Sequence, residues 1–470
     1  MTRSDEDNPE SGPVSDVAED SGPVSASELA QSDGEPIGAE PETPPRELAG
    51  KLGRLSLPRQ VLALAVWPLL EQLLNLTVST VDLALAGRLE PKAASVAGAD
   101  ALGIGGFINW LMLIVLGSMG VGSLALVSRA TGGRHKSLAN AALGQGLVIA
   151  LGFGLIELVA IAALAEPIAW LVSREGLAYQ YTVEYLRILA LTGPAMAIMI
   201  VGNQCLRGTG DTRTPFLTVV IVNVINVVVS WALVFGPQPI GGHQVVGIAA
   251  GTVIAWWIGA LVLIGILLRG SPQMRLHRHR LRPHVHTARR ILNVGVPNLL
   301  ESAGGTWLAT FIVLIIVGQL EGEGLVGSHM IAIRIESYSF QPGFAFGMAA
   351  ATLAGQYLGM RDARRAKRAI GLAWAFAATL MGAIGLVFIV VPAPFTWIFT
   401  DNQTLIDQAI PLVRICGTIQ IFFATYMVCS FALKGAGDTK MAMKLTYLSV
   451  FLVRVPAAYL LAFPLGLGLI

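Results

Sequence analysis

Eleven hydrophobic runs, each bounded by glycine, proline or charged residues, follow one another along the chain from about residue 60. The hydrocarbon core of a bilayer is about 30 Å thick, and about 20 apolar residues of α-helix cross it. Because every run reaches that length, the sequence predicts eleven membrane spans. Numbered as spans 1 to 11, they cover about 60–86, 94–127, 138–165, 181–206, 215–236, 244–268, 291–317, 325–358, 367–391, 409–433 and 443–466.

The composition excludes the water-soluble classes of protein. Of the 470 residues, 54% are hydrophobic and only 13% are charged, which is too apolar for soluble domains of this length. A soluble enzyme and a nucleic-acid-binding protein are therefore excluded. We expect an all-α polytopic membrane protein that acts as a monomer, with the lipid bilayer and a small-molecule substrate as its partners.

The N-terminal segment differs from the rest of the chain. Residues 1–47 carry 13 acidic and two basic residues, and the segment 1–48 includes seven prolines and no aromatic residue. Such a segment buries too little apolar surface to offset its chain entropy. We predict a disordered acidic tail over residues 1–50. Its acidic, polar start does not resemble a cleavable signal peptide.

The basic residues predict the orientation in the membrane. Beyond the tail the chain has 30 basic and 17 acidic residues. If residue 59 lies in the cytoplasm, 23 of these bases fall in cytoplasmic loops, Arg207 and Lys434 among them, and five fall on the other side. The positive-inside rule then predicts a cytoplasmic N-terminus. We expect the protein in the cytoplasmic (inner) membrane of a bacterium.

The chain also contains an internal repeat. The sequence LRGTGDTR at 206–213 returns as LKGAGDTK at 433–440. Glu71, which follows Pro68, returns as Glu301, which follows Pro297. Two homologous six-helix bundles with one common orientation are predicted, related by an axis along the membrane normal.

The repeat defines the predicted domains. They are an N-lobe over 51–268 with spans 1 to 6, a basic cytoplasmic linker over 269–290, and a C-lobe over 291–470 with spans 7 to 11. By this register Ile470 corresponds to about Gly242, which precedes span 6. We therefore expect a truncated or fragmentary sequence that stops before the twelfth helix; a protein of eleven helices is the alternative.

Several of these motifs together resemble the multidrug and toxic compound extrusion (MATE) family. They are Pro68, Glu71 and Asp82 in span 1, the two Gly-x-Gly-Asp-Thr loops, and the run 328–337 in span 8, and the likeness extends over roughly residues 55–470. The resemblance implies twelve helices in two lobes. It also implies export of cationic or amphipathic compounds, driven by sodium ions or protons and without another cofactor.

The residues of span 1 form a polar stripe, an inference that does not depend on the family resemblance. Because an α-helix turns about 100° per residue, Asp82 lies about 20° from Glu71, and Asn75 about 40° from it. A carboxylate in mid-span costs roughly 2.5 to 3.5 kcal/mol on insertion scales, so it faces protein or water rather than lipid. Glu71 and Asp82 are therefore candidates for ion or proton exchange. A carboxylate satisfied by structural hydrogen bonds is the alternative.

A second polar stripe lies in span 5, where Asn223, Asn226 and Ser230 fall within about 60° of one another. Hard cations bind several oxygen ligands, which amides, hydroxyls and one carboxylate can supply. The resemblance places Asp82, Asn226 and Ser230, with Thr252 of span 6, at the N-lobe site for the coupling ion or proton. Ser230 stands where relatives often have Asp or Asn, which leaves sodium and proton coupling both open.

The C-lobe has fewer candidates. Glu301 is the best acid there for attracting a cationic substrate or ion, although its match to Glu71 also favours a structural role shared by both. Span 10 has no counterpart of the acid frequent in the family. In span 8, His329 and Glu336 share a helix face, and Arg334 could neutralise Glu336 or a neighbouring acid; we interpret this cluster as mainly structural.

Other activities have weaker support. Intramembrane aspartyl proteases use a string similar to Gly-x-Gly-Asp, but Asp211 and Asp438 sit at predicted turns and are expected to cap the helices that follow. Four histidines between 277 and 286 alternate with arginines, whose charge disfavours a metal ion, so a basic linker near anionic lipid is favoured. Zinc-protease and phosphate-binding strings do not occur, so we expect no catalytic residues.

The sequence thus predicts a secondary antiporter, not an enzyme. It would export small cationic or amphipathic compounds in exchange for sodium ions or protons by alternating access of two lobes. A lipid-linked oligosaccharide flippase of the wider superfamily is the main alternative, but it would need a cationic cavity, and only Arg334 and Arg454 lie within spans. A membrane-embedded enzyme is a further alternative.

Overall fold

The computed structural model of this protein describes residues 47–464 apart from residues 49, 51, 173, 238 and 321–323. The predicted acidic tail thus lies almost entirely outside the described residues. Those that are described form helices and short connections, with no β-strand among them. They all belong to one compact unit, Thr43–Ile470.

Sixteen α-helices are present in the described part of the chain. The first half contains α1 (Leu57–Ala86), α2 (Lys92–Gly132), α3 (Lys136–Val172), α4 (Leu177–Ala190), α5 (Gly193–Gly208), α6 (Arg213–Phe235) and α7 (Gln244–Arg269). The second half contains α8 (Val285–Leu300), α9 (Ala309–Gly318), α10 (Leu325–Ser339), α11 (Gln341–Gly359), α12 (Ala363–Val390), α13 (Ala393–Trp397), α14 (Gln403–Gly435), α15 (Thr439–Ser449) and α16 (Val455–Ala462). A π-helix over Glu301–Leu308 joins α8 to α9, and another over Val450–Arg454 joins α15 to α16.

Helices occupy the described part of all eleven predicted spans, as expected of an integral membrane protein. Eight of the helical segments in the described chain are long and apolar enough to cross a bilayer. A ninth results if α4 and α5, which bend by 49° at their junction, form one span. The break lies next to Pro194, which has no amide proton for a continuous helix. The helix α1 and the interrupted pair α10 and α11 are not among these nine segments, so the number of eleven spans stays a prediction.

The two Gly-x-Gly-Asp-Thr loops have the same local structure. Asp211 accepts a hydrogen bond from the Thr214 amide at 3.0 Å, and Asp438 accepts one from the Met441 amide at 3.1 Å. Each acid thus satisfies a free amide in the first turn of the next helix, as predicted. Before them, Gly210 and Gly437 have φ angles of 91° and 84°, a region in which a Cβ atom would clash.

The apolar cores of the two halves share elements. The core of the first half includes Ile291 of α8, and the core of the second half includes Val61 and Leu64 of α1. Accordingly, α1 packs against α11, and α8 packs against α2. The first helix of each half therefore lies against the other half, an exchange that the sequence repeat did not indicate.

The ends of α2 and α11 meet through contacts related by the repeat. A Cβ atom on Gly132 would overlap the backbone carbonyl of Gln356, and one on Gly359 would overlap the carbonyl of Arg129. Gly359 follows Gly132 by the same number of residues that separates the two Gly-x-Gly-Asp-Thr loops. Gln356 follows Arg129 by that number as well. Each contact is therefore the repeat of the other, which is the arrangement that a local twofold axis produces.

Candidate functional site

The helices α1 and α6 run side by side in the same direction. The Thr212 hydroxyl donates to the Ala63 carbonyl at 3.3 Å, and the Asn223 amide donates to Asn75 Oδ1 at 3.2 Å. Between them, the rings of Trp67 and Phe216 lie 5.3 Å apart. The separation of the partners along the chain is almost constant from one contact to the next, so the two helices are parallel. The hydrogen bond from Asn223 to Asn75 also connects the polar stripe predicted in span 1 with the one predicted in span 5.

This register places Asp82 at the depth of Ser230. Asp82 follows Asn75 by seven residues, and Ser230 follows Asn223 by seven, an advance of about 10 Å along each helix. The same offset continues beyond the site, since Leu85 of α1 shares a buried apolar cluster with Val234 of α6. The polar stripe of α1 and the polar stripe of α6 therefore lie at matching depths along the contact between the two helices.

Asp82 has no polar partner among the described residues. Its Oδ1 atom is buried and accepts no hydrogen bond, so the alternative of a structurally satisfied carboxylate gains no support. The phenol of Tyr185 in α4 lies within electrostatic reach of the carboxylate. Sequence reasoning missed Tyr185, because it lies on no polar stripe and α4 precedes α6 by a long stretch of chain.

Asn226 and Thr252 form the second part of the site. The Asn226 amide donates to the Thr252 hydroxyl at 3.0 Å, which links α6 to α7, while Asn226 Oδ1 is buried without a partner. Ser230 donates weakly to the Ile248 carbonyl at 3.4 Å. The site thus presents two unpartnered acceptor oxygens, one on Asp82 and one on Asn226, within about one helical turn in depth.

Unlike Asp82, Glu71 has a cationic partner for both of its carboxylate oxygens. Its two carboxylate oxygens each accept from Arg207 Nη2 at 2.7 Å, and both side chains are about nine-tenths buried. Because Arg207 directly follows span 4, the sequence predicts that it lies in a cytoplasmic loop. Instead, Arg207 lies within α5, and its side chain reaches Glu71 of α1. The assignment was wrong because a long side chain at a helix end can extend into the protein.

Glu301 repeats this arrangement with one difference. Lys434 Nζ lies 3.1 Å from Glu301 Oε1, and that oxygen also accepts from Ser430 at 3.3 Å and Thr446 at 3.2 Å. Lys434, like Arg207, is therefore a buried partner rather than a loop charge. Glu301 Oε2 is buried and has no hydrogen-bond partner. Lysine is a point charge, whereas the Arg207 guanidinium satisfies both oxygens of Glu71.

The predicted cluster in span 8 has a further cation near it. Arg334 and Arg454 are both exposed, and Arg454, at the end of the second π-helix, lies within electrostatic reach of His329 and Glu336. The pairing of Arg334 with Glu336 stays a prediction, and helix geometry does not favour it. Arg334 precedes Glu336 by only two residues, and side chains two apart do not face each other on a helix.

A further buried acid, Glu157 of α3, was not identified from the sequence. It is 9% exposed, and neither carboxylate oxygen has a partner. Glu157 stands alone in a long apolar run, so no stripe of polar residues marked it. Among the described residues, no group of three or more His, Cys, Asp or Glu side chains is placed to hold a metal ion.

The repeat does not extend to the polar stripes. In the register that matches Glu71 with Glu301, Asp82 corresponds to Ile312. In the register of the two Gly-x-Gly-Asp-Thr loops, Asn226 corresponds to Val453 and Ser230 to Ala457. The candidate site therefore belongs to the first half alone, whereas the buried ion pairs occur in both halves.

Comparison with known proteins agrees with this fold. The family model MatE matches residues 69–232 and 302–460, which together exceed half of the chain. A relative from Thermotoga maritima, described as a probable multidrug resistance protein NorM, is 26% identical over 88% of this chain and 87% of its own. The multidrug resistance protein MdtK of Proteus mirabilis is 26% identical over 86% of this chain and 87% of its own.

Solved structures share the architecture at lower identity. A MOP superfamily transporter from Pyrococcus furiosus matches with a TM-score of 0.82 and 20% identity, over 90% of this chain and 93% of that one. A structure described as the outward-facing conformation of a MATE family transporter matches with a TM-score of 0.81 over the same shares. The family model recognises both halves of the sequence, and the chain belongs to the MATE family of membrane transporters, which are not enzymes.

Proposed function

We propose that this protein exports small cationic or amphipathic compounds across a bacterial inner membrane in exchange for sodium ions or protons. The observation that carries the proposal is the buried Asp82 carboxylate oxygen, which has no hydrogen-bond partner and lies at the depth of Ser230 in the register of α1 and α6. The names of the relatives, which describe multidrug resistance proteins, support export of several compounds.

Both coupling ions suit the chemistry of this site. A sodium ion would be held by Asp82 and by the free Asn226 oxygen, with the hydroxyls of Thr252 and Ser230 close in depth, since hard cations bind oxygen ligands. A proton would bind to the Asp82 carboxylate alone. The two cases differ in their need for Asn226, because protonation of Asp82 requires no second ligand.

Alternating access between two lobes would expose the site to each side in turn. In the described arrangement α2 and α11 are in backbone contact at Gly132 and Gly359, which closes one end of the contact between the halves. We infer that this is the cytoplasmic end, because Arg134 and Arg361 follow these glycines at basic loops. Entry of substrate from the cytoplasm would then require the two helix ends to separate.

The flippase alternative loses support from the second half of the chain. Lys434 lies against Glu301, and Arg454 lies within electrostatic reach of Glu336, so both of these cations have an acidic neighbour. A lipid-linked oligosaccharide carries an anionic phosphate linkage, for which uncompensated cations would be expected.

Everted vesicles that contain the protein, energised by a sodium or a proton gradient, test the proposal. The parent, Asp82→Asn and Asp401→Asn would be compared for accumulation of a fluorescent organic cation. Asp401 is an exposed acid outside the helices, so its variant is a matched control for loss of one carboxylate.

We expect Asp82→Asn to lose gradient-driven accumulation by at least about tenfold, with Asp401→Asn unchanged. Accumulation that responds only to sodium, and that weakens in Asn226→Ala, would identify sodium as the coupling ion. Equal accumulation by the parent and Asp82→Asn would overturn the assigned role of Asp82.

A further inference from the structure

The connection between the two halves is strongly basic. Between Asp211 and Glu301 the sequence has no acidic residue, and residues 269–290 include seven arginines and four histidines. Its charge is therefore not compensated locally. A segment of this kind needs either water or an anionic partner around its side chains.

The connection is nevertheless fixed to the body of the protein. Gln145 of α3 donates to the carbonyls of Arg280 and Arg282 at 2.8 and 2.7 Å and accepts from the His284 amide at 2.9 Å. The Arg280 side chain is buried and donates to Ser137 at 2.9 Å. These bonds hold the backbone in place, so the exposed side chains of the segment have defined positions relative to α3.

Cationic and apolar side chains alternate on its exposed surface. We call this surface the basic strip; its cationic members, all exposed, are Arg278, Arg282, His286 and Arg289. Among them, Leu281 is 39% exposed and Val285 is 79% exposed. No ion pair involves Arg282 or Arg289 within the described residues. Apolar side chains this exposed are unfavourable in water but favourable at a bilayer interface.

The helix α8 continues the strip into the membrane. Its exposed residues follow at helical spacing, from His286 and Arg289 through Asn293 to Val296 and Leu300. From Arg289 to Val296 the helix rises about 10 Å, and over this distance the exposed face changes from cationic to apolar. That change matches the passage from the headgroup region to the hydrocarbon core of a bilayer.

The opposite face of α8 is packed against α2. Asn298 donates to the Ser118 hydroxyl at 3.0 Å, and the buried Ile291 and Gly295 face Gly122 and Ser118 of α2. The exposed face of α8 is therefore turned away from the other half of the protein. Lipid is the partner that meets both its cationic and its apolar part.

We propose that the basic strip binds the phosphate headgroup of an anionic phospholipid, with Arg282 and Arg289 as the main cationic contacts and an acyl chain along Val296 and Leu300. The headgroup, rather than soluble phosphate, is the partner because cationic and apolar groups occur on one continuous face. Since α8 leads directly into the π-helix that begins at Glu301, a bound lipid would hold the helix that carries this acid.

The full chain in nanodiscs of phosphatidylcholine with a minor fraction of phosphatidylglycerol provides the test. Native mass spectrometry would count the phosphatidylglycerol molecules retained by the parent, by Arg282→Gln/Arg289→Gln, and by Arg364→Gln/Arg368→Gln. The last variant removes two exposed arginines from α12 and is the matched control. Melting temperatures would show that each variant is folded.

Each arginine close to an anionic surface contributes about a fivefold gain in binding. We therefore expect the strip variant to lose phosphatidylglycerol retention by at least about fivefold, while the control variant retains it like the parent. Equal retention by the strip variant and the parent, or an equal loss in both variants, would overturn the proposal. Displacement of the lipid by millimolar inorganic phosphate would also overturn it, because the strip would then be a site for the free ion.

Discussion

Arg207 donates to both carboxylate oxygens of Glu71 at 2.7 Å, and at the repeated position in the second half Lys434 lies 3.1 Å from Glu301. Each pair joins the first helix of its half to the helix that precedes a Gly-x-Gly-Asp-Thr loop. Both pairs are largely buried, since none of the four side chains is more than 12% exposed. The internal repeat therefore preserves an interaction as well as a sequence.

The first prediction concerns Arg207→Met. This change leaves the buried Glu71 carboxylate without a cation, and breaking a buried pair in this way costs about 3 to 5 kcal/mol. We expect a clear fall in melting temperature in nanodiscs. The double variant Glu71→Gln/Arg207→Met removes both charges and should recover much of the loss, whereas additive losses would show that the two side chains are not coupled.

The second prediction compares Lys434→Met with Arg207→Met. Glu301 keeps hydrogen bonds from Ser430 and Thr446 when Lys434 is removed, while Arg207 alone donates to Glu71 among the described residues. The melting temperature should therefore fall less for Lys434→Met. Adding Thr446→Val should bring the loss close to that of Arg207→Met; a double variant that melts no lower than Lys434→Met would contradict this account.

The third prediction concerns the contact between α2 and α11. In Gly132→Ala the new methyl group would overlap the Gln356 carbonyl, and rigid backbone cannot yield at low cost. We expect the helix ends to move apart. Spin labels introduced by Arg134→Cys and Arg361→Cys, both exposed, would report a longer distance by double electron-electron resonance.

Gly117→Ala is the control for that experiment. Gly117 lies on the same helix, and a Cβ atom there would have no neighbour within 4 Å. Its label distance should equal that of the parent. If Gly132→Ala also gave the parental distance, the close contact would not determine how far apart the helix ends lie.

The fourth prediction concerns Gln145→Ala. This change removes three hydrogen bonds that hold the segment from Arg280 to His284, so the segment should open more often. Limited trypsin digestion after Arg278 and Arg280 should become several times faster. Ser137→Ala, which removes only the bond to Arg280, should have a smaller effect. Equal rates for Gln145→Ala and the parent would show that these bonds do not limit opening.

Much of the architecture was predictable from the sequence. Apolar runs of span length and the repeated LRGTGDTR and LKGAGDTK strings are local signals, and helices occupy the described part of all eleven predicted spans. Asp211 and Asp438 were expected at helix starts, and both accept the amide hydrogen bonds of an N-cap. Such features depend on a few neighbouring residues, so they can be read without knowledge of the packing.

Partners in space were predicted less well. Arg454, far along the chain, lies within electrostatic reach of Glu336, and Arg207 and Lys434 pair with acids far away in the chain. Glu157 and Tyr185 left no pattern in the sequence. A polar residue that stands alone in an apolar run gives no indication of the helix face on which it lies or of what it meets.

The sequence by itself determined a helical membrane protein with an internal repeat, because the cost of burying polar backbone and side chains in lipid constrains every span locally. Tertiary structure alone decided which buried acids are paired. It set Asp82 at the depth of Ser230 through a constant register between α1 and α6, and it paired Glu71 with Arg207. Whether a carboxylate is available for exchange depends on side chains brought together from distant parts of the chain.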